Sequence, residues 1–138
     1  MYTPSSDLTS VQDILKVDAI ILNLIDLTGK TEVEIIKRII KRSQWNDLAN
    51  DDKRLCVYPV PSRRTPNDSF HEAVLQVDCH VPASLDYIAL QVQEKVVKLL
   101  HKQKINNKYL QAEPALGELP TMPGFFCCGT RFKYYHTI

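Results

Sequence analysis

Thiols, imidazoles and carboxylates are the side chains here that could carry chemistry, and their spacing argues against a reaction centre. The cysteines are Cys56, Cys79, Cys127 and Cys128, and the histidines are His71, His80, His101 and His136. Neither set contains a C-x-x-C or His-x-x-x-His arrangement that would suggest a redox pair or a zinc site. Cys79 and His80 are adjacent, and strand neighbours point to opposite faces, so they make a poor nucleophile and base. The thiols read as buried packing groups, and the histidines as surface or strand-edge residues. Asp47, Asn50, Asp51 and Asp52 lack the alternate spacing and central glycine of a calcium loop and read as a solvated turn. Thr28-Gly-Lys-Thr31 imitates the end of a phosphate-binding loop, but Leu24 stands where the first glycine is needed and a helix precedes it where a strand is required. Gly29 as a helix stop and Thr31 as the next cap explain it. No catalytic, cofactor-binding or metal-ligating set is nominated, so an enzyme is not expected, and a small hydrolase would need a perturbed acid or nucleophile that is not evident.

Binding is the better expectation. Tyr58-Pro-Val-Pro-Ser-Arg-Arg-Thr-Pro-Asn-Asp68 separates two predicted strands and is longer than a turn requires. Its prolines at 59, 61 and 66 fix backbone torsions, and Arg63 and Arg64 put two permanent charges near the tip of what reads as a projecting loop. A second group, Lys37, Arg38, Lys41 and Arg42, reads as the solvated face of a helix. The net charge of +1 gives no global attraction to nucleic acid. Phe125, Phe126, Phe132, Tyr134 and Tyr135 interleaved with Arg131 and Lys133 fit a base-stacking strand, or more simply the alternating core and edge residues of a last strand.

These residues must be positioned by a chain of 138 residues with 44% hydrophobic and 24% charged side chains, ordinary values for one globular domain spanning 1–138. The longest apolar run, Ala19 to Leu22 followed by Leu24 and Ile25, is too short to cross a bilayer. The start Met-Tyr-Thr-Pro-Ser-Ser-Asp has no signal-peptide character, so folding in a reducing cytoplasm is expected.

A first helix is expected from Thr9 or Ser10 to Gly29, with Val11, Ile14, Val17, Ile21, Leu24 and Ile25 as its core stripe. A second starts at the Thr31 cap with Glu34 and turns Val33, Ile36, Ile39 and Ile40 inward. Trp45 and Leu48 anchor a polar linker before a strand at Arg54 to Tyr58. From Glu72 to Val81 the pattern alternates, with Ala73, Leu75, Val77, Cys79 and Val81 on one face and Val74, Gln76, Asp78 and His80 on the other. Ser84 caps a third helix carrying Leu85, Ile88, Ala89, Val92, Val96, Leu99 and Leu100. A short strand at Lys108 to Ala112 and a final strand with Phe126, Cys128, Phe132 and Tyr134 against Arg131, Lys133 and Tyr135 follow. The fold class is α+β, a mainly antiparallel four-stranded sheet with helices packed on one face.

The order of elements resembles the tail terminator and head-to-tail joining (tail completion) proteins of long-tailed bacteriophages with flexible tails. The resemblance is carried by the opening helix Asp13-Ile-Leu to Leu27, the Tyr58-Pro-Val-Pro-Ser-Arg-Arg-Thr-Pro segment and the strand Val74-Leu-Gln-Val-Asp-Cys-His-Val81. The helix Asp86-Tyr-Ile-Ala-Leu-Gln-Val-Gln-Glu-Lys-Val-Val97 and the ending Gly124-Phe-Phe-Cys-Cys-Gly-Thr-Arg-Phe-Lys-Tyr-Tyr135 complete it. It implies a structural virion protein, made in the host cytoplasm, that forms a six-subunit ring on the tail tube and creates the surface for the head. Its partners would be its own subunits, the tail tube protein and the head connector protein, with no cofactor, no membrane and no specific nucleic-acid sequence. Arg63, Arg64, Thr65 and Asn67 are the expected contacts, followed by Arg131 and Lys133. The alternative is a small single-stranded nucleic-acid-binding domain using the last strand and the basic loop.

Overall fold

The computed structural model describes residues 3–41, 52–66 and 70–137, with Ser62, Arg64 and Thr137 described by backbone alone. Helix α1 spans Pro4–Leu15 and has its proline in the first turn, where the missing N–H is no loss. The expected start near Thr9 is therefore corrected: Thr9 lies within the helix and its hydroxyl donates to Ser5 O at 3.0 Å. The expected long helix is also broken. Asp18 accepts from Ile21 N at 3.0 Å and starts α2, Ala19–Leu24, as a separate helix. This break leaves Val17, expected in the core, 72% exposed.

Helix α3, Glu32–Ile36, begins as expected with the Thr31 hydroxyl accepting from Glu34 N. It ends before Ile39 and Ile40, which are the buried strand β1 (Ile39–Ile40) and not a helical face. Val33 and Ile36 stay exposed, and Ile35 packs inward instead. Arg38 is no solvated helix residue either. Its guanidinium donates to Lys53 O at 2.6 Å and Ile25 O at 3.3 Å, tying three segments together. Trp45, Leu48, Arg42 and the residues Asp47, Asn50 and Asp51 lie outside the described residues.

The remaining elements are β2 (Arg54–Arg64), β3 (Phe70–Pro82), a single 3-10 turn (Ala83–Leu85), α4 (Asp86–Leu100), β4 (Lys104–Ile105), β5 (Lys108–Tyr109), β6 (Gln111–Ala112), β7 (Glu118–Leu119) and β8 (Phe125–Thr137). Ser84 sits in the 3-10 turn and makes no cap. The expected strand at Lys108 to Ala112 is split: β5 pairs with β4 in a separate ribbon, while β6 pairs with β8.

The class is α+β, but the sheet is larger and more mixed than four antiparallel strands. Among the described residues it has six strands in the order β1-β2-β3-β8-β6, with β7 also on β8. The β1–β2 pair is parallel and the others antiparallel. The main correction concerns the expected projecting loop. Residues Tyr58 to Arg64 are the distal half of β2, paired with β3. Two prolines are tolerated there because, among the described residues, β1 pairs only with Leu55 and Cys56, so the rest of β2 is an edge strand. Pro61 also lies in the register irregularity between Val60 and Arg63.

The core lies between the sheet and helices α1, α2 and α4. Ala73, Leu75, Val77, Cys79 and Val81 of β3 meet Val11, Leu15, Ile21, Val92, Val96 and Leu100, with Phe132 and Tyr134 of β8 beside them. These are the faces that alternation and helical spacing had indicated. Two polar anchors cross this core. Gln93 Nε2 donates to Val77 O and Cys128 O at 3.1 and 3.2 Å, while its Oε1 accepts from Thr130, so α4 is held to two strands at once. Asp7, fully buried, accepts from Tyr134 Oη, Asn106 Nδ2 and Lys108 Nζ at 2.8, 2.8 and 3.0 Å. It ties α1 to the β4–β5 ribbon and to β8.

Removing that anion leaves the nearly buried Lys108 ammonium without its partner. We expect Asp7→Ala to lower unfolding stability by roughly 3 kcal/mol or more in urea titration. A change within a few tenths of a kcal/mol would show that the network carries no weight.

Candidate functional site

Register decides what lies on the sheet face away from the helices. Arg54, Cys56 and Tyr58 of β2 stand opposite His80, Asp78 and Gln76 of β3. These in turn face Cys127, Gly129 and Arg131 of β8. One side of an antiparallel sheet is commonly open to water. Here Gln76, Asp78 and His80 are each only 5% exposed. Polar groups taken out of water need partners in the protein, and each has them.

The Tyr58 hydroxyl donates to Asp78 Oδ2, and Gln76 Nε2 donates to Asp78 Oδ1 at 2.7 Å. Arg131 Nε donates to Gln76 Oε1 at 3.0 Å. His80 Nδ1 lies 2.8 Å from Thr121 Oγ1, in the segment between β7 and β8, and its Nε2 is 3.6 Å from Cys127 Sγ. Gly129 is required by space: a Cβ there would sit 2.1 Å from Asp78 Oδ1 and 3.0 Å from Leu119 Cδ1. The missing side chain is what lets the carboxylate lie across β8.

Donor atoms of Asp78, His80 and Cys127 lie within 4.8 Å of one another. Burial pushes the Cys127 thiol well up and the Cys56 thiol to about 12, while burial and then the Arg54 charge bring His80 down to about 4. Near neutral pH the pair is a thiol beside a neutral imidazole, which differs from the thiolate of a reactive cysteine. Burial raises Asp78, opposed by the hydrogen bonds from Tyr58 and Gln76 and by the Arg131 charge. Sequence reading missed the cluster because His80 and Cys127 are 47 residues apart and meet only through register. The alternation of β3 had placed Asp78 and His80 together on one face, opposite the row of Ala73, Leu75, Val77, Cys79 and Val81. The expectation of surface or strand-edge histidines fails for His80, which is buried on the central strand β3, while His136, near the end of β8, is only 6% exposed.

At the other end of this face, where β2 runs toward β3, lie Arg63 and Thr65 of the expected contact residues. Arg63 bridges Glu72 and Glu113, each at 2.9 Å, and so fastens β2 to neighbouring segments. It is half exposed but not an uncompensated charge. Thr65 donates to Phe70 O at 2.9 Å, closing the turn. Asn67 and the side chain of Arg64 lie outside the described residues. Arg131 is held inward by Gln76, and Lys133 lies opposite Val74 and Gln111. Sequence reading did not single out Phe70, 39% exposed, which with Tyr135, 47% exposed, Thr65 and Pro66 lines an open apolar cleft of about 410 Å³.

Two outcomes test this geometry. Gly129→Ala must displace Asp78 or Leu119, and we expect a loss of about 1–3 kcal/mol in chemical denaturation. For His80 the folded pKa of about 4 lies below its unfolded value of 6.5. The unfolded chain therefore binds more protons between these values, so stability present above pH 6.5 is lost as pH falls toward 4, by roughly 3 kcal/mol. Asp78, raised on folding, contributes with the opposite sign. Comparing the pH dependence of wild type with His80→Gln isolates the histidine contribution, and identical curves would contradict it.

No protein-family model matches the chain, and no curated protein matches it in sequence.

Proposed function

We propose that the chain is a ring-forming structural subunit of the kind that terminates the tail tube of long-tailed bacteriophages with flexible tails and joins it to the head. The observation that carries this reading is the apolar cleft at the β2–β3 turn, with Phe70 and Tyr135 presented to solvent. Exposed aromatics beside charged residues are typical anchors of protein contacts. Pro59 and Pro61 remove backbone donors from the edge of β2, so contact by side chains at the tip is favoured over addition of another strand.

A closed ring needs two different surfaces on each subunit. The helical layer offers the second: Val33 and Ile36 of α3 are 60% and 41% exposed at helical spacing. In this reading the cleft of one subunit receives an apolar patch of the next, and Arg63, Arg64, Thr65 and Asn67 border the contact. Tail tube and head connector proteins would meet the rims of the assembled ring.

The nucleic-acid alternative is supported less well. Arg63 is engaged by two carboxylates and Arg131 by Gln76, while Phe132 and Tyr134 face the core, so among the described residues these groups are already committed and do not offer themselves to phosphates and bases.

Native mass spectrometry over a concentration series, alone and with isolated tail tubes, tests the proposal. We expect discrete six-subunit rings, and at least a tenfold higher concentration requirement for the Phe70→Ala/Tyr135→Ala double variant. Monomers under every condition, or rings indifferent to the double variant, would overturn the assigned contact.

A further inference from the structure

Three unlike donor atoms converge on the buried outer face: a carboxylate oxygen of Asp78, Nε2 of His80 and Sγ of Cys127. In a tetrahedral zinc site, Zn–S and Zn–N bonds of about 2.3 and 2.0–2.1 Å place sulfur and nitrogen roughly 3.5 Å apart. The His80–Cys127 separation is 3.6 Å. A carboxylate oxygen of Asp78 stands on the third side, all three donors lying within 4.8 Å of one another.

The surroundings orient these atoms independently of one another. Thr121 Oγ1 sits against His80 Nδ1, and a proton on Nδ1 donated to it turns the Nε2 lone pair toward Cys127. This is the outer support found around metal-bound imidazoles. Gln76 and Tyr58 hold the Asp78 carboxylate, and the thirteen-residue strands β3 and β8 fix the spacing of the backbones.

We propose that Asp78, His80 and Cys127 bind one zinc-class divalent cation, with water in the fourth position. Mixed oxygen, nitrogen and sulfur donors suit zinc and cobalt, whereas magnesium and calcium demand oxygen. As the Sγ–metal bond forms, the thiol proton passes to solvent; thiolate and carboxylate then balance the ion's two positive charges. The ion joins β3 to β8 and, through the Thr121 contact, steadies the approach to β8 from β7. This site does not depend on the ring assembly, and either proposal can fail without the other.

Cobalt(II) titration of the full chain, first stripped with chelator and kept reduced with a phosphine, is the test. The expected result is a thiolate-to-cobalt charge-transfer band that saturates at one ion per chain and is bleached by zinc. Cys127→Ser should abolish the band, His80→Gln should weaken binding at least tenfold, and Cys79→Ala, on the helix-facing side, should retain it. Lack of the band in folded wild-type protein overturns the site without any appeal to a variant. A one-to-one band that survives Cys127→Ser overturns it as well.

Discussion

Burial of β3 on both faces is the constraint around which the structure is arranged. From Ala73 to Val81 every residue of this strand is buried, although Gln76, Asp78 and His80 are polar. The backbone is satisfied by ladders to β2 and β8, and the inward side chains by the helices. The outward row, Gln76, Asp78 and His80, must find partners within the protein because unpaired buried polar groups are costly. Tyr58, Arg131, Thr121 and Cys127 supply them. The glycine at 129 and the folding of the 119–121 segment beside the sheet follow from the same requirement.

Elements whose pattern is set by one dominant contact were legible in the sequence. The inward alternation of β3, the apolar stripe of α4 and the division of β8 into core and outer residues all survive in the folded chain. Elements decided by competition were not. Asp18 caps a new helix in the middle of an apolar run, and Ile39 and Ile40 satisfy helical spacing but gain more complete burial beside β2. Prolines at 59 and 61 suggested a loop because their compatibility with an edge depends on which strands lie beside them. Gln93 is polar in an apolar stripe because two strand carbonyls await it, a requirement visible only in three dimensions.

The candidate site was less legible still. Of the residues first nominated, Arg63 and Arg131 serve internal contacts as well as bordering the outer face, whereas Phe70 was overlooked. The polar cluster required knowing that His80 faces Cys127, and strand register is fixed by cumulative pairing along thirteen residues and not by any local motif. The resulting face has two characters. One end is polar, hydrogen-bonded and buried; the other is apolar and open, and it is there that the proposed subunit contact is assigned.

The sequestration of the outward row is most directly measured by NMR titration of the His80 imidazole in chelator-treated protein, assigned through His80→Gln. Burial beside Arg54 predicts a neutral ring that begins to protonate only as the pH approaches about 4. A midpoint near the ordinary value of 6.5 would place His80 in water and contradict a buried polar face on β3.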